Sequence, residues 1–367
     1  MSNPPLKLIF LYTIFSLLFI QNCQRPSSVQ TSTSVNFQPE AIPYQFLSDY
    51  AFFTTPLTQQ QVNASVIAYE PRTALFTDYA HKARFVWMPD SVQASVADDG
   101  SILFPNNTVL IKSFYYPADF NKPEENRRMI ETRLLIKKAE QWEAFTYLWN
   151  EEGTEAELNL IGDIQEVSWN DKAGIAHTVD YIVPNKNQCK SCHNRNNVLL
   201  PIGPKAQHLN GTFTYQSTKA HNQLQHWQEA GILEAGNWQN QFAPTPIWND
   251  PQTGNLEARA LAYLEINCGH CHHPEGPAHT TGLYLGKDFI DDRTKLGQCK
   301  PPVAAGKGSG GRKYSIVPGQ PDSSILYYRM LSDDPGVMMP EIGRAIAHEE
   351  GLVLIKEWIL EMNGACN

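Results

Sequence analysis

Two five-residue stretches repeat one pattern of chemistry-bearing residues: Cys189-Lys190-Ser191-Cys192-His193 and Cys268-Gly269-His270-Cys271-His272. Two thiols three positions apart, followed at once by an imidazole, suit the covalent attachment of haem. Each S–H adds across one vinyl group of the porphyrin, and the histidine gives a ring nitrogen to the iron. The two-residue spacer puts both sulfurs on one side of a helical turn, so the sequence predicts two covalent haem c groups. They are held by Cys189, Cys192 and His193 and by Cys268, Cys271 and His272, with His193 and His272 as the proximal metal ligands. Three other chemistries use similar residues. A zinc site could draw on Cys189, Cys192, Cys268 and Cys271. A thioredoxin-like redox pair needs a βαβ context and no second copy. Disulfides across three-residue gaps are strained. A histidine after each pair, twice over, is least economical for all three.

The elements that must position these motifs read as follows. The chain has 367 residues, 42% apolar and 11% aromatic, with 29 basic against 38 acidic side chains, for a net charge of −9. A packed core is within reach, and no basic excess exists to neutralise nucleic-acid phosphates. Residues 6–20 form an apolar run behind Lys7. It is short of the roughly 20 residues that span a bilayer and has the length of a signal-peptide core. Residues 1–22 are therefore expected to be a signal peptide. Cys23 follows that run as in the lipobox of bacterial lipoproteins, with Asn22 in place of the usual small residue, and is the expected lipidation site. A soluble export signal and an uncleaved anchor are the alternatives. Residues 23–40, rich in Ser, Thr, Gln and Pro, read as a flexible tether. Residues 41–185 read as a β-rich, sandwich- or barrel-like domain, from short strand-like runs such as Val109 to Tyr116 and Arg128 to Lys137, with a hairpin turn at Glu140-Gln141. Residues 186–250 carry the first haem-attachment segment. From Leu256 on, the apolar stripe of Leu256, Ala260, Leu261 and Leu264 and the run from Glu349 to Met362 predict a mainly helical part, residues 251–367. The expected fold class is thus α+β. Export places the body in an oxidising compartment, where Cys299 and Cys366 are expected to form a disulfide; a pair of free thiols is the alternative.

The last third resembles a class I cytochrome c domain. The likeness rests on Asn267-Cys268-Gly269-His270-Cys271-His272, on Val317-Pro318-Gly319-Gln320-Pro321-Asp322, on Met338-Met339-Pro340 and on a terminal helix with Trp358-Ile359. The whole chain is similar to bacterial di-haem c-type cytochromes with a β-rich N-terminal half, in which Ala74-Leu75-Phe76-Thr77-Asp78-Tyr79-Ala80 is also familiar. The resemblance implies that Met339, just before Pro340, is the sixth ligand of the second haem, with Met338 its rival. For the first haem the sixth ligand stays open between Met88, which also precedes a proline, His208, and no protein ligand at all. His270 is expected to point outward as a spacer. The function implied is electron transfer between redox protein partners, such as a dehydrogenase, another cytochrome or an oxidase, in the periplasm or cell envelope, with a lipid anchor holding the protein to a membrane. A di-haem peroxidase-like enzyme with an open first haem, and a lipoprotein acting as redox sensor or partner-binding scaffold, are the competing readings.

Overall fold

In the computed structural model, which describes residues 34–215 and 220–367, the dominant element is a six-stranded antiparallel meander. Its strands are β1 (Val66–Ala68), β2 (His81–Trp87), β3 (Val109–Pro117), β4 (Arg127–Lys138), β5 (Gln141–Trp149) and β6 (Ala156–Asn159), hydrogen-bonded in that order. Aromatic and β-branched residues suit a half-buried pleat, and here they alternate in facing. Phe85, Trp87, Val109, Ile111, Leu134, Ile136 and Phe145 turn to one side, over a core closed by Leu47, Tyr50 and Phe52. Val86 and Leu110 turn to the other side, against Leu209, Leu224 and Trp227. Ala139 and Glu140 join β4 to β5 with φ of 46° and 65°. Two left-handed residues in a two-residue loop match the twist of the strands they connect, and the turn sits one residue before the position expected. A separate two-stranded ribbon, β7 (Asp163–Asn170) and β8 (Ala176–Val183), packs Val167, Trp169, Val179 and Tyr181 against Phe114, Tyr116 and Ile130. From Ser34 onward the segment expected as tether carries Val35 and Phe37 onto the sheet, with Phe37 4.9 Å from the Trp87 ring.

The expected α+β class, with a mainly helical cytochrome c-like domain over 251–367, is corrected by the structure, which is mostly β. Beyond residue 250 the α-helices are Leu256–Leu264, Ile325–Leu331 and Glu349–Glu361, of 9, 7 and 13 residues. The two apolar stripes seen in the sequence do fold as helices. They share a core of Leu261, Leu264, Leu352, Ile355, Trp358 and Ile359. Between them seven glycines from Gly282 to Gly343 take left-handed backbone, which a helix does not accommodate, and the chain runs as loops and single turns. The β-rich part is likewise an open sheet with a side ribbon. No helix among the described residues is long and apolar enough to cross a membrane.

Candidate haem-binding cavity

The first motif is set by a capped helix. Asn185 accepts from the backbone N–H groups of Asn187 and Gln188, each at 3.0 Å, while Gln188 accepts from the Asn185 N–H at 2.9 Å. This reciprocal capping box starts α1 (Lys186–Cys192), which carries both thiols. His193 closes the helix, and its N–H donates to the Cys189 carbonyl at 3.0 Å. The second motif follows the helix Leu256–Leu264, which is N-capped by Asn255, and Cys268 lies in a π-turn, Glu265–Gly269, that extends it. Gly269 is required there: a Cβ on it would lie 2.5 Å from the Leu285 carbonyl oxygen.

Both proximal histidines are held in the same way. His193 Nδ1 donates to the Leu200 carbonyl at 2.9 Å, and His272 Nδ1 faces the Leu283 carbonyl at 3.3 Å. A carbonyl accepts only, so Nδ1 carries the proton and Nε2 is left bare, the tautomer a metal-binding imidazole needs. Burial pushes the His193 ring down to about 3 and the His272 ring to about 4, so both stay neutral near pH 7.

Cys189, Cys192, His193, Cys268 and Met339 line one cavity of about 1630 Å³ of non-atom space, open solvent at its mouth included. Cys271 and His272 stand outside the lining, but Cys271 is not remote. It lies close enough to Cys192 for the two thiols to act on each other, which lowers the Cys192 thiol pKa and raises that of Cys271. All four motif cysteines are free thiols. Among the described residues no three of His, Cys, Asp or Glu gather as a metal ion requires, so the motif cysteines do not form the tetrahedral set of a zinc site. At the first motif, paired thiols on a helix, an imidazole with bare Nε2 and the Met339 thioether on the same wall are groups that would hold a covalent haem.

Met339 lines the cavity, whereas its neighbour Met338 does not and is buried. The expected outward position of His270 is corrected: it lines the cavity, and its Nδ1 is buried without a hydrogen-bond partner. The spacer lies on the side of the first motif, close enough for its ring to act on Cys192. Met88 is packed among Val86, Phe104 and Trp227, and His208 is buried with Nε2 3.5 Å from Glu265 Oε1; neither lines the cavity. Cys299 and Cys366 are joined as a disulfide, with S–S 2.09 Å and Cα–Cα 5.2 Å. Cys23 and the signal-peptide segment lie outside the described residues.

The familiar stretch from Ala74 to Ala80 is a clasp between the sheet and the cavity wall. Phe76 N–H donates to Asn267 Oδ1 at 2.8 Å, beside Cys268, and the Phe76 ring stacks on His348 at 4.2 Å. Asp78 Oδ1 accepts from the N–H groups of Ala345 and Ile346 at 2.8 and 3.0 Å, five residues beyond Pro340. Tyr263 OH and His348 Nδ1 share a hydrogen bond at 2.9 Å, and burial holds that imidazole at about 4.

Sequence reasoning missed the cationic wall of the cavity: Arg84, Lys112 and Arg133. A signal was there for one of them, since Lys112 interrupts the apolar run of β3. Burial, with Arg84 beside it, pushes the Lys112 ammonium well below the usual lysine range. Comparison of the chain with protein-family models, with curated proteins and with solved structures finds no match.

Proposed function

We propose that this chain is an exported di-haem c-type cytochrome that carries electrons between redox protein partners. One observation carries the reading: two Cys-x-x-Cys-His motifs, 79 residues apart in sequence by their first cysteines, Cys189 and Cys268, come to one cavity, the first through Cys189, Cys192 and His193 and the second through Cys268 and His270, and His193 and His272 each turn Nδ1 to a backbone carbonyl. The bound haem supplies the one-electron redox change. The chain supplies the rest. Cys189, Cys192, Cys268 and Cys271 give four thioether sulfurs, formed by addition of S–H across vinyl groups. The Leu200 and Leu283 carbonyls fix the two histidine tautomers. Met339 offers a soft thioether, which favours a higher potential than a second imidazole would. The net charge of −9 suits basic docking patches on a dehydrogenase, a second cytochrome or an oxidase. Placement in the cell envelope through a lipid on Cys23 belongs to the same reading.

The test is a mass spectrum of protein made with a haem-attachment system. Two covalent haems per chain are expected, falling to one in the Cys268→Ala/Cys271→Ala double variant. A wild-type chain with one haem, with zinc or with none overturns the proposal.

A di-haem peroxidase-like enzyme is the second reading, favoured by the packing of Met88 and His208 away from the cavity. A high-spin ferric EPR signal together with turnover of hydrogen peroxide would select it; two low-spin haems would exclude it.

A further inference from the structure

Arg84, Lys112 and Arg133 stand side by side on three neighbouring strands. Arg84 is the register partner of Lys112, and Lys112 that of Arg133. Like charges directly opposite in a sheet repel one another, and buried cations are costly unless paired. Arg133 is paired: its Nε and Nη2 donate to the two oxygens of Glu131 at 2.7 and 2.5 Å, and Tyr181 OH donates to the same carboxylate at 2.7 Å. Among the described residues no ion pair reaches Arg84 or Lys112. The acids whose charge reaches them are Glu70 and Glu131. The Lys112 ammonium rests 4.8 Å above the Phe114 ring, with the Arg133 guanidinium over the same ring at 4.4 Å and Lys82 at 5.9 Å. Above and below the row the same face of the sheet is apolar: Val86 and Leu110 on one side, Phe114 on the other.

This wall adjoins the first motif. Lys112 and Arg133 are close enough for their charges to act on the His193 ring, and Arg133 acts on Cys189 as well. Three opposed cations on this wall face two carboxylates, Glu131, which is bonded to Arg133, and Glu70, which acts on Arg84 without an ion pair, and this leaves a deficit of negative charge. A haem carries two carboxylates. We propose that Arg84, Lys112 and Arg133 form the seat for the carboxylates of the haem held by Cys189, Cys192 and His193, a reading that rests on the di-haem function above. Cations beside the haem carboxylates offset a negative charge that would otherwise favour the oxidised iron, so the seat also raises the potential of the first haem relative to the same site without it.

The experiment is a redox titration of the di-haem protein and of Lys112→Met, Arg84→Gln and Lys112→Arg, with haem counted by mass in each. Lys112→Met and Arg84→Gln are expected to keep two covalent haems while the reduction equilibrium of the first haem falls about tenfold, a drop of ~59 mV for one electron. Lys112→Arg is expected to keep the wild-type value. Two haems with an unmoved potential in both neutralising variants would overturn this seat and leave the di-haem reading standing. A wild-type chain without covalent haem would overturn both. Added sulfate that binds the wild-type holoprotein saturably, and not the Lys112→Met variant, would assign the row to a free oxyanion and overturn the haem carboxylates as its occupant. Should the neutralising variants fail to fold, the resonance Raman propionate-bending band of the Cys268→Ala/Cys271→Ala protein, whose remaining haem is the first, reads the contact directly. A hydrogen-bonded position is expected, and the free-carboxylate position overturns the seat.

Discussion

At the residue scale the sharpest contrast is between Met338 and Met339. They are chemically identical neighbours, yet only Met339 lines the cavity, while Met338 is 5% exposed and faces away from it. On the di-haem reading, Met339→Ala removes the thioether–iron charge-transfer band and opens the iron to carbon monoxide. Met339→His keeps a low-spin iron and lowers its potential by on the order of 0.1 V or more, within the roughly 0.8 V that axial ligands command. Met338→Ala leaves the band in place and loses about 2–4 kcal/mol of stability as a core truncation. Absorption spectra and thermal denaturation of the three variants check this, and a band lost in Met338→Ala instead would exchange the two roles.

At the scale of elements, the turn before β2 decides how the Met339 loop is held. Asp78 is 2% exposed and takes a left-handed φ of 44°, and its carboxylate receives two backbone N–H groups of residues 345 and 346. Burial raises its pKa above the ordinary 3.8, against the pull of those hydrogen bonds and of Arg344. A carboxyl whose folded value is raised holds its proton in the native state over a window where the unfolded chain has lost it. Its contribution is complete below the ordinary value and is lost as pH rises through the folded one. Asp78→Asn keeps an accepting oxygen without the charge, so it is expected to flatten this acid-side dependence and to match or exceed wild-type stability at pH 7 by about 1 kcal/mol or less. Asp78→Ala strands two buried N–H groups and should cost about 2–4 kcal/mol. Denaturant melts between pH 3 and 7 separate the two. The clasp also marks the limit of what could be read in advance. Motif residues such as Cys189 and His193 declare their chemistry within five positions, and the stripes at 256–264 and 349–361 declare helices by periodicity alone. Arg84, Lys112 and Arg133 become neighbours only through strand register, and Asp78 meets Ala345 across 267 residues, so no local pattern announces either. The loops between the last helices were misjudged for the opposite reason: two clear helical segments invited a helical domain around them, while the left-handed glycines between them break any such run.

For the molecule as a whole, the disulfide is the covalent cross-link found among the described residues. Cys299 and Cys366 are 67 residues apart, and the loop they close contains the Met339 segment and the helices Ile325–Leu331 and Glu349–Glu361. Opening it with Cys299→Ser/Cys366→Ser is expected to cost about 4 kcal/mol on the chain-entropy account. Chemical denaturation of oxidised, reduced and doubly substituted protein checks the figure, and reduced wild type should coincide with the double variant. The remaining sulfur contact bears on the order in which the protein is made. Cys192 and Cys271, one thiol from each motif, lie close enough to act on each other. If the chain is exported and di-haem as proposed, then in surroundings oxidising enough to join Cys299 to Cys366 a chain that folded before receiving its porphyrins would staple the two motifs to each other and leave each with one sulfur. On the di-haem reading, maturation is therefore a contest between ligation and premature oxidation, and the chain has to reach its attachment enzymes reduced and still open.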